Sequence, residues 1–456
     1  MGLFDFLARL IFGSPASHDS ATEAQSVSHE PSLDKGSPQP ASPTPTKKRR
    51  PQLKNRTRSR AVRLAPLRYV GSLVRTPQQQ ELTPEKPYPF ASRNLNPRTG
   101  EDSGWLDLST DGDERWLQYY SLPILKTPSD LAKFLGIPLG RLAWLTQKQH
   151  SNYRPATVRE AHYHYRWISK RSGGHRLIEA PKQELKQVQQ RILNQILDRV
   201  PAHPRAHGFV AGRSILTNAQ AHVGKRFLLK LDLEDFYTTV RYRRVVAIFR
   251  SLGYSREVAL WLSRLTTTVV PREFSGPDSR PGWHHSLSRF ALLHLPQGAP
   301  TSPALANLSA YALDVRLAGI ADAYDIEYSR YADDLTFSGE GRSIPALQEF
   351  VPLVQQIIRD ERFRPNRSKR RVVRNSQRQV VAGVVVNERT NVARKDYDLL
   401  KAILHNCMRE GPSSQNRKKL ENFAEHLRGR IAHVSQLNPE RGAKLLETFF
   451  RIDWNR

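Results

Sequence analysis

Tyr331-Ala332-Asp333-Asp334 stands between two short runs of alternating apolar residues, Ile326-Glu327-Tyr328 before it and Leu335-Thr336-Phe337 after it. A period of two predicts a pair of strands, with the two acids at the turn between them. Adjacent carboxylates repel, so a turn that displays both is suited to holding a cation. Hard oxygen donors favour Mg²⁺, which keeps several waters and recruits substrate phosphates as further ligands.

A third carboxylate lies at the end of a second apolar run. Residues 227–233 read Phe-Leu-Leu-Lys-Leu-Asp-Leu, a short strand that delivers Asp232, and Phe236 and Tyr237 follow closely. Alone, an acid after a strand is most often a turn or cap residue. Together with Asp333 and Asp334, Asp232 completes the donor set of a phosphoryl-transfer site that works through two Mg²⁺ ions. In that reading Asp232 and Asp333 bridge the ions and Asp334 assists.

The composition points the same way. Lys and Arg number 71 against 43 Asp and Glu, a formal net charge of +28 over 456 residues. Such a surplus calls for a polyanionic partner, with nucleic acid ahead of an anionic membrane. No apolar run is long enough to predict a transmembrane helix. Cys407 is the single cysteine, which excludes an intrachain disulfide and fits a cytoplasmic location. The apolar start, residues 1–12, lacks the features of a signal peptide and reads either as an amphipathic docking helix or as a tag folded onto the body.

Residues 1–100 read mainly as a disordered extension rich in Ser, Pro and basic residues, because they carry too little apolar surface to offset the entropy of ordering. Lys47-Lys48-Arg49-Arg50 and the basic residues through Arg60 form either an arm for a phosphate backbone or a solvated linker. Residues 101–165 read as a helical region, with a helix starting at Thr127-Pro128-Ser129-Asp130 and a second at 139–145, a pair better suited to packing than to DNA readout. Residues 166–390 read as a mixed α/β body. It holds a helix over 186–199, a helix over 304–317 with Leu305, Leu308, Ala312 and Val315 on one face, and a strand over 380–386. Residues 391–456 read as basic helices with an apolar stripe of Leu399, Leu400, Ile403 and Leu404.

With these residues assembled, the sequence resembles the reverse transcriptases and their Tyr-X-Asp-Asp signature. Leu295-Pro296-Gln297-Gly298-Ala299-Pro300-Thr301-Ser302-Pro303 resembles the family's loop against the incoming nucleotide, where Gln297 and Gly298 would contact the dNTP. A backbone that touches a base or sugar has no room for a Cβ, which would explain Gly298. Lys170 through Ile178, with its Gly173-Gly174 turn, resembles the fingers hairpin whose two cations, here Lys170 and Arg176, clamp the triphosphate. Tyr237 falls where the family keeps the aromatic that excludes a ribose 2′-hydroxyl. Lys369 resembles the lysine near the pyrophosphate, a candidate general acid. The implied architecture is an α+β right-hand polymerase with fingers, palm and thumb. The thumb cations would include Arg417, Lys418, Lys419, Arg428 and Arg430.

Two further motifs resemble those of bacterial retron reverse transcriptases. Asn218-Ala219-Gln220-Ala221-His222 matches an Asn-Ala-X-X-His element directly before the Asp232 strand. Val381-Ala382-Gly383 stands where the family has Val-Thr-Gly, with Ala382 lacking the threonine hydroxyl. The resemblance makes Asn218, His222, Val381 and Gly383 candidate RNA-binding residues. It implies an RNA-directed DNA polymerase that copies a cognate structured noncoding RNA from a 2′-hydroxyl primer into a branched RNA–DNA product. A role in antiphage defence alongside a separate effector protein is part of the same expectation. The rival readings are another bacterial reverse transcriptase, of the group II intron or CRISPR-associated kind, or a catalytically idle polymerase fold that only binds RNA. Oligomeric state is not legible.

Overall fold

The computed structural model describes residues 82–95, 99–146, 154–170, 173–276, 287–344 and 346–454, together with the backbone of Glu81. All belong to the second of two compact units, residues 65–456. The apolar start, the basic arm and the rest of the extension to residue 80 lie outside the described residues.

Ordered structure begins earlier than the composition predicts. Strands β1 (Glu81–Thr83), β2 (Ser92–Leu95) and β3 (Asp102–Asp107) form an antiparallel sheet in the order β1-β3-β2. The buried Glu257 anchors both the β1–β2 connection and the residue after β3. It accepts hydrogen bonds from the Tyr88 hydroxyl and the Trp261 indole, and the Glu257 N–H donates to the Leu108 carbonyl. Tyr88 and the strands on either side of it are therefore tied to the body of the protein.

The helix Pro128–Leu135 starts at Thr127 with a capping box. Thr127 Oγ1 accepts from the Asp130 N–H, and the Asp130 carboxylate accepts from the Thr127 N–H. Its buried residues Leu131, Ala132 and Leu135 and those of the next helix, Leu139–Thr146, join the main core, so the pair is a packing unit. Strands β4 (Tyr163–Ser169) and β5 (His175–Pro181) form a hairpin of seven paired residues, and helix Gln183–Gln195 follows directly.

The site is carried by a four-stranded antiparallel sheet built from β6 (Phe227–Asp232), β7 (Ile326–Tyr331), β8 (Asp334–Gly339) and β9 (Arg371–Arg374), in the order β7-β8-β6-β9. Because side chains alternate across a strand, β6 feeds two cores. Phe227, Leu229 and Leu231 face the main core with Tyr328, Leu335 and Phe337, while Leu228 joins a second cluster with Val381, Val384 and the C-terminal helices. Those helices are Arg394–Glu410, Pro412–Gln415, Phe423–Leu437 and Pro439–Phe450.

Three expectations from periodicity are corrected. The helix expected over 304–317 is two helices, Ser302–Ser309 and Tyr311–Ala323, with Ala310 between them. The break turns Val315 outward to 37% exposure while Leu305 and Ala312 stay buried. The strand expected over 380–386 is a hairpin of β10 (Val380–Val381) and β11 (Val384–Val385). It turns at Ala382 and Gly383, both at positive φ (46° and 88°), the geometry of a two-residue hairpin loop. In the helix Arg394–Glu410 the buried stripe is Leu400, Leu404 and Cys407, and Leu399 is 52% exposed.

Candidate active site

The sheet register brings the acids together. Asp232 at the end of β6 pairs directly with Asp334 at the start of β8, and Tyr331 pairs with Asp334 across the two-residue turn Ala332-Asp333. The Leu233 N–H donates to the Asp333 carbonyl at 2.9 Å, tying the turn to the end of β6. Burial, and then the charges of Asp334 and Asp232, push the Asp333 carboxyl up to about 6. Asp334 is also raised, mainly by burial. Carboxyls that disfavour their own ionised form in this way are relieved by a positive charge.

That charge comes in part from Lys369, whose Nζ donates to Asp232 Oδ1 at 2.8 Å. Burial pulls the Lys369 ammonium down, but the bond to Asp232 and the neighbouring Asp333 and Asp334 hold it above its ordinary value. Asn366 secures the other side of Asp232: its side-chain amide donates to Oδ2 at 3.3 Å and its backbone N–H to the Asp232 carbonyl at 2.7 Å. Among the described residues no trio of acidic, His or Cys side chains is drawn into a preformed ion cage. The donor types nevertheless suit a hard divalent cation: three carboxylates at one strand end, electrostatically coupled and short of positive charge.

Beneath the turn lies a buried polar network. Arg330 is fully buried on β7. Its guanidinium donates two bonds to Asp314 (2.7 and 2.6 Å), one to Asn307 Oδ1 (2.8 Å) and one to the Ala332 carbonyl (3.0 Å). The Tyr328 hydroxyl donates to the same Asp314 at 2.8 Å. The network holds Ala332 at φ 55°, a left-handed conformation that a non-glycine residue adopts at a cost.

The β4–β5 hairpin supplies cations. Lys170 closes its loop, with its N–H donating to the Gly174 carbonyl at 2.9 Å. Burial, followed by the charge of Arg176, lowers the Lys170 ammonium, and Lys369 and Arg289 press on it in the same sense. A cluster of cations that repel one another is suited to a polyanion such as a triphosphate. Tyr237 lies on the short helix Phe236–Thr239, half-buried; burial first, then the Asp333 charge, raises its hydroxyl well above the ordinary value.

Gly298 has a physical reason within the protein itself. Its φ is +135°, and a Cβ there would lie 3.0 Å from the Glu179 carbonyl and 3.3 Å from Ile178 Cγ2. The crowding comes from β5 of the fingers hairpin. The Glu179 N–H donates to the Gln297 carbonyl at 2.9 Å, and the Gln297 N–H points back at the Glu179 carboxylate at 3.4 Å. His294, with no exposed side-chain surface, clamps the same junction. Its Nδ1 lies 2.7 Å from the Leu292 carbonyl and its Nε2 3.0 Å from the equally buried Glu179 carboxylate. The carbonyl can only accept, so Nδ1 donates to it, and Nε2 faces the Glu179 carboxylate.

A family model described as reverse transcriptase (RNA-dependent DNA polymerase) matches residues 168–392. The retron Mx65 reverse transcriptase of Myxococcus xanthus is 40% identical over 342 residues, 73% of each chain. The retron Mx162 reverse transcriptase of the same organism is 37% identical over 353 residues, 72% of this chain and 67% of that one. The retron Ec86 reverse transcriptase of Escherichia coli is 30% identical over 340 residues, 74% of this chain and 92% of its own. The chain belongs to the retron reverse transcriptases.

Within this retron reverse transcriptase, the two narrower motifs are placed where RNA cannot meet most of their side chains. His222 is fully buried, with Nδ1 2.6 Å from Ser338 Oγ on β8 and Nε2 2.7 Å from Ser329 Oγ on β7. Asn218 is 1% exposed, and Val381 is buried in the second core. His222 and Val381 brace the sheet that carries the Asp333–Asp334 turn, and Asn218 is buried beside them, which corrects the expectation that these side chains bind RNA. Of the four, Gly383 alone is exposed, with open space where a Cβ would stand. Ala382 beside it sits at positive φ, where the β-branched threonine of the family pattern is disfavoured.

The reverse transcriptase also relies on residues that the sequence reading passed over. Arg330 carried a signal, since it shares the parity of Ile326 and Tyr328 and so points a cation into the core. Asp314, Asn307, His294 and Glu179 carried none, because each acquires its partner from a distant segment. No described helix is long and apolar enough to cross a membrane.

Proposed function

We propose that this reverse transcriptase copies part of a cognate structured noncoding RNA into single-stranded DNA at Asp232, Asp333 and Asp334. The first nucleotide joins a guanosine 2′-hydroxyl of that RNA, which makes the product a branched RNA–DNA hybrid. In each addition a hydroxyl oxygen attacks the α-phosphorus of a dNTP, a new P–O bond forms, and the bond to the β-phosphate breaks to release pyrophosphate. The observation that carries this reading is the pairing of Asp232 with Asp334 beside Asp333. The three would hold two divalent ions of the Mg²⁺ kind, which when bound supply positive charge for the attacking hydroxyl and the departing pyrophosphate.

The protein's own groups take the remaining roles. Lys170 and Arg176 receive the triphosphate from the fingers side. Gln297 and Gly298 form the floor under the nucleotide, positioned by Glu179 and His294. Tyr237 closes the space next to the sugar, where a 2′-hydroxyl would collide, giving a preference for dNTPs. Lys369, kept protonated by the carboxylates, donates its proton to the leaving pyrophosphate. The enzyme would work in the cytoplasm, in antiphage defence with a separate effector protein.

The test is to express the enzyme with its native locus and analyse the extracted nucleic acid. The expected product is DNA joined to RNA through a 2′,5′ bond, sensitive to a debranching enzyme. Unbranched cDNA alone would overturn the priming reading and leave a general reverse transcriptase. Phage protection that survives in the Asp333→Asn, Asp334→Asn double variant would overturn the role in defence.

A further inference from the structure

Phe209 is an aromatic side chain held in the open at a conformational cost. It is 48% exposed and its backbone has φ 60°, the left-handed region that bulky residues avoid. Its ring centroid lies 6.3 Å from that of Tyr331, the first residue of the catalytic turn. Neither apolar burial nor backbone preference accounts for a phenylalanine there.

The loop around it is built to hold this position. Gly208 packs so closely on the turn that a Cβ would lie 2.6 Å from the Ala332 nitrogen. The Gly208 carbonyl accepts from Asn307 Nδ2 at 2.9 Å, and Asn307 also binds the Arg330 network. The backbone bonds of β7 clamp the preceding residues: the Arg330 N–H donates to the Arg205 carbonyl and the His207 N–H to the Arg330 carbonyl, each at 2.8 Å. Arg213 Nη1 bonds the carbonyls of Ala206 (2.7 Å), His203 (3.3 Å) and Pro204 from the other end of the loop. The loop and the catalytic turn are one rigid piece, and Phe209 is its exposed edge.

We propose that Phe209 is a nucleic-acid-contacting residue, a shelf on which the terminal base pair of the primer–template rests beside the catalytic turn. This rests on the reverse transcriptase reading and adds a binding residue to it. Apolar rings serve nucleic acid by stacking on bases or packing on sugars, without sequence preference, which suits an enzyme that must advance over every sequence it copies. A ring fixed to the turn would set the primer end in register with Asp333 and Asp334. The same contact needs no dNTP, so it acts at the binding of primer–template.

The test uses the full chain and a labelled RNA template–DNA primer duplex, with affinity measured by anisotropy without dNTP. Phe209→Ala weakens binding about fivefold to a hundredfold, the range for loss of one aromatic platform. Phe209→Trp keeps affinity, and its indole fluorescence changes when the duplex is added. Phe209→Gly is the discriminating variant, because glycine prefers the left-handed backbone. It leaves the thermal midpoint unchanged or higher, yet weakens duplex binding like alanine. Wild-type affinity in both the Ala and Gly variants overturns the proposal. Because binding is read without chemistry, that failure is distinct from failure of the carboxylate site, which would show as polymerisation by the Asp333→Asn, Asp334→Asn variant.

Discussion

The two faces of the central sheet carry opposite solutions to the same strands. On one face, Phe227, Leu229, Leu231, Leu335 and Phe337 close a continuous apolar core, into which the sealed Arg330–Asp314 pair is set. On the other face, Leu228, Lys230 and Asp232 follow one another along β6, opposite Ser338, Thr336 and Asp334. There Leu228 joins the C-terminal cluster, Ser338 meets His222, and Asp232 and Asp334 stand at the far end. This face therefore passes from apolar to acidic along one strand. The closed apolar face supplies rigidity, and the acidic end of the other carries the proposed chemistry.

The largest effect expected from breaking this division is on the acidic end. Asp333→Asn with Asp334→Asn should reduce dNTP incorporation on a primed RNA template to background, while RNA binding and the thermal midpoint persist. The loss would be of catalysis alone, since neither side chain serves the core.

On the closed face the effect should be on stability. Arg330→Met strands the Asp314 carboxylate in the core and should cost about 3–5 kcal/mol, read by denaturant unfolding. Adding Asp314→Leu should restore much of that stability without restoring full activity, because the bond to the Ala332 carbonyl stays lost. Recovery of both would show that the network serves stability only.

The His222 brace sharpens the comparison through pH. Burial, with smaller contributions from His207 and nearby cations, lowers the His222 imidazole to about 3, against an ordinary value of 6.5. The unfolded chain thus binds a proton at His222 that the folded chain refuses. Its contribution to stability is complete above about pH 6.5 and is lost progressively as pH falls toward 3, reaching a few kcal/mol. A His222→Gln variant should be less stable at neutral pH and show a shallower acid decline. An unchanged decline would assign it to other groups, of which His207, lowered to about 4 chiefly by burial, is the first.

A smaller effect is expected at the junction of the fingers hairpin with the nucleotide loop. Glu179→Gln keeps the shape but removes the carboxylate that faces His294 Nε2, and should raise the KM for dNTP about tenfold with a lesser change in kcat. Equal loss in both would place the pair in general folding. The smallest effects should come from Val315→Ser and Leu399→Ser. Both positions have apolar periodicity but lie exposed, so each change should stay within about 0.5 kcal/mol.

The sequence by itself determined the local pieces of this protein. Alternation in 326–337 specified a hairpin with Asp333 in its turn, the apolar run 227–233 specified a strand ending at Asp232, and Thr127 to Asp130 specified a helix start. These are readable because hydrogen-bonding period and capping chemistry act within a few residues. The motif resemblance gave the family in the same way, from contiguous residues. Tertiary structure decided whatever depends on which distant segment arrives as a partner. It put Asp232 opposite Asp334, turned His222, Asn218 and Val381 inward, and made Gly298 a contact to Glu179. It also placed Gly208 and Phe209 against the Tyr331–Asp334 turn. Periodicity failed at Val315 and Leu399 for the same reason: an apolar side chain is buried only if a neighbour covers it, and the cover is supplied from elsewhere in the chain.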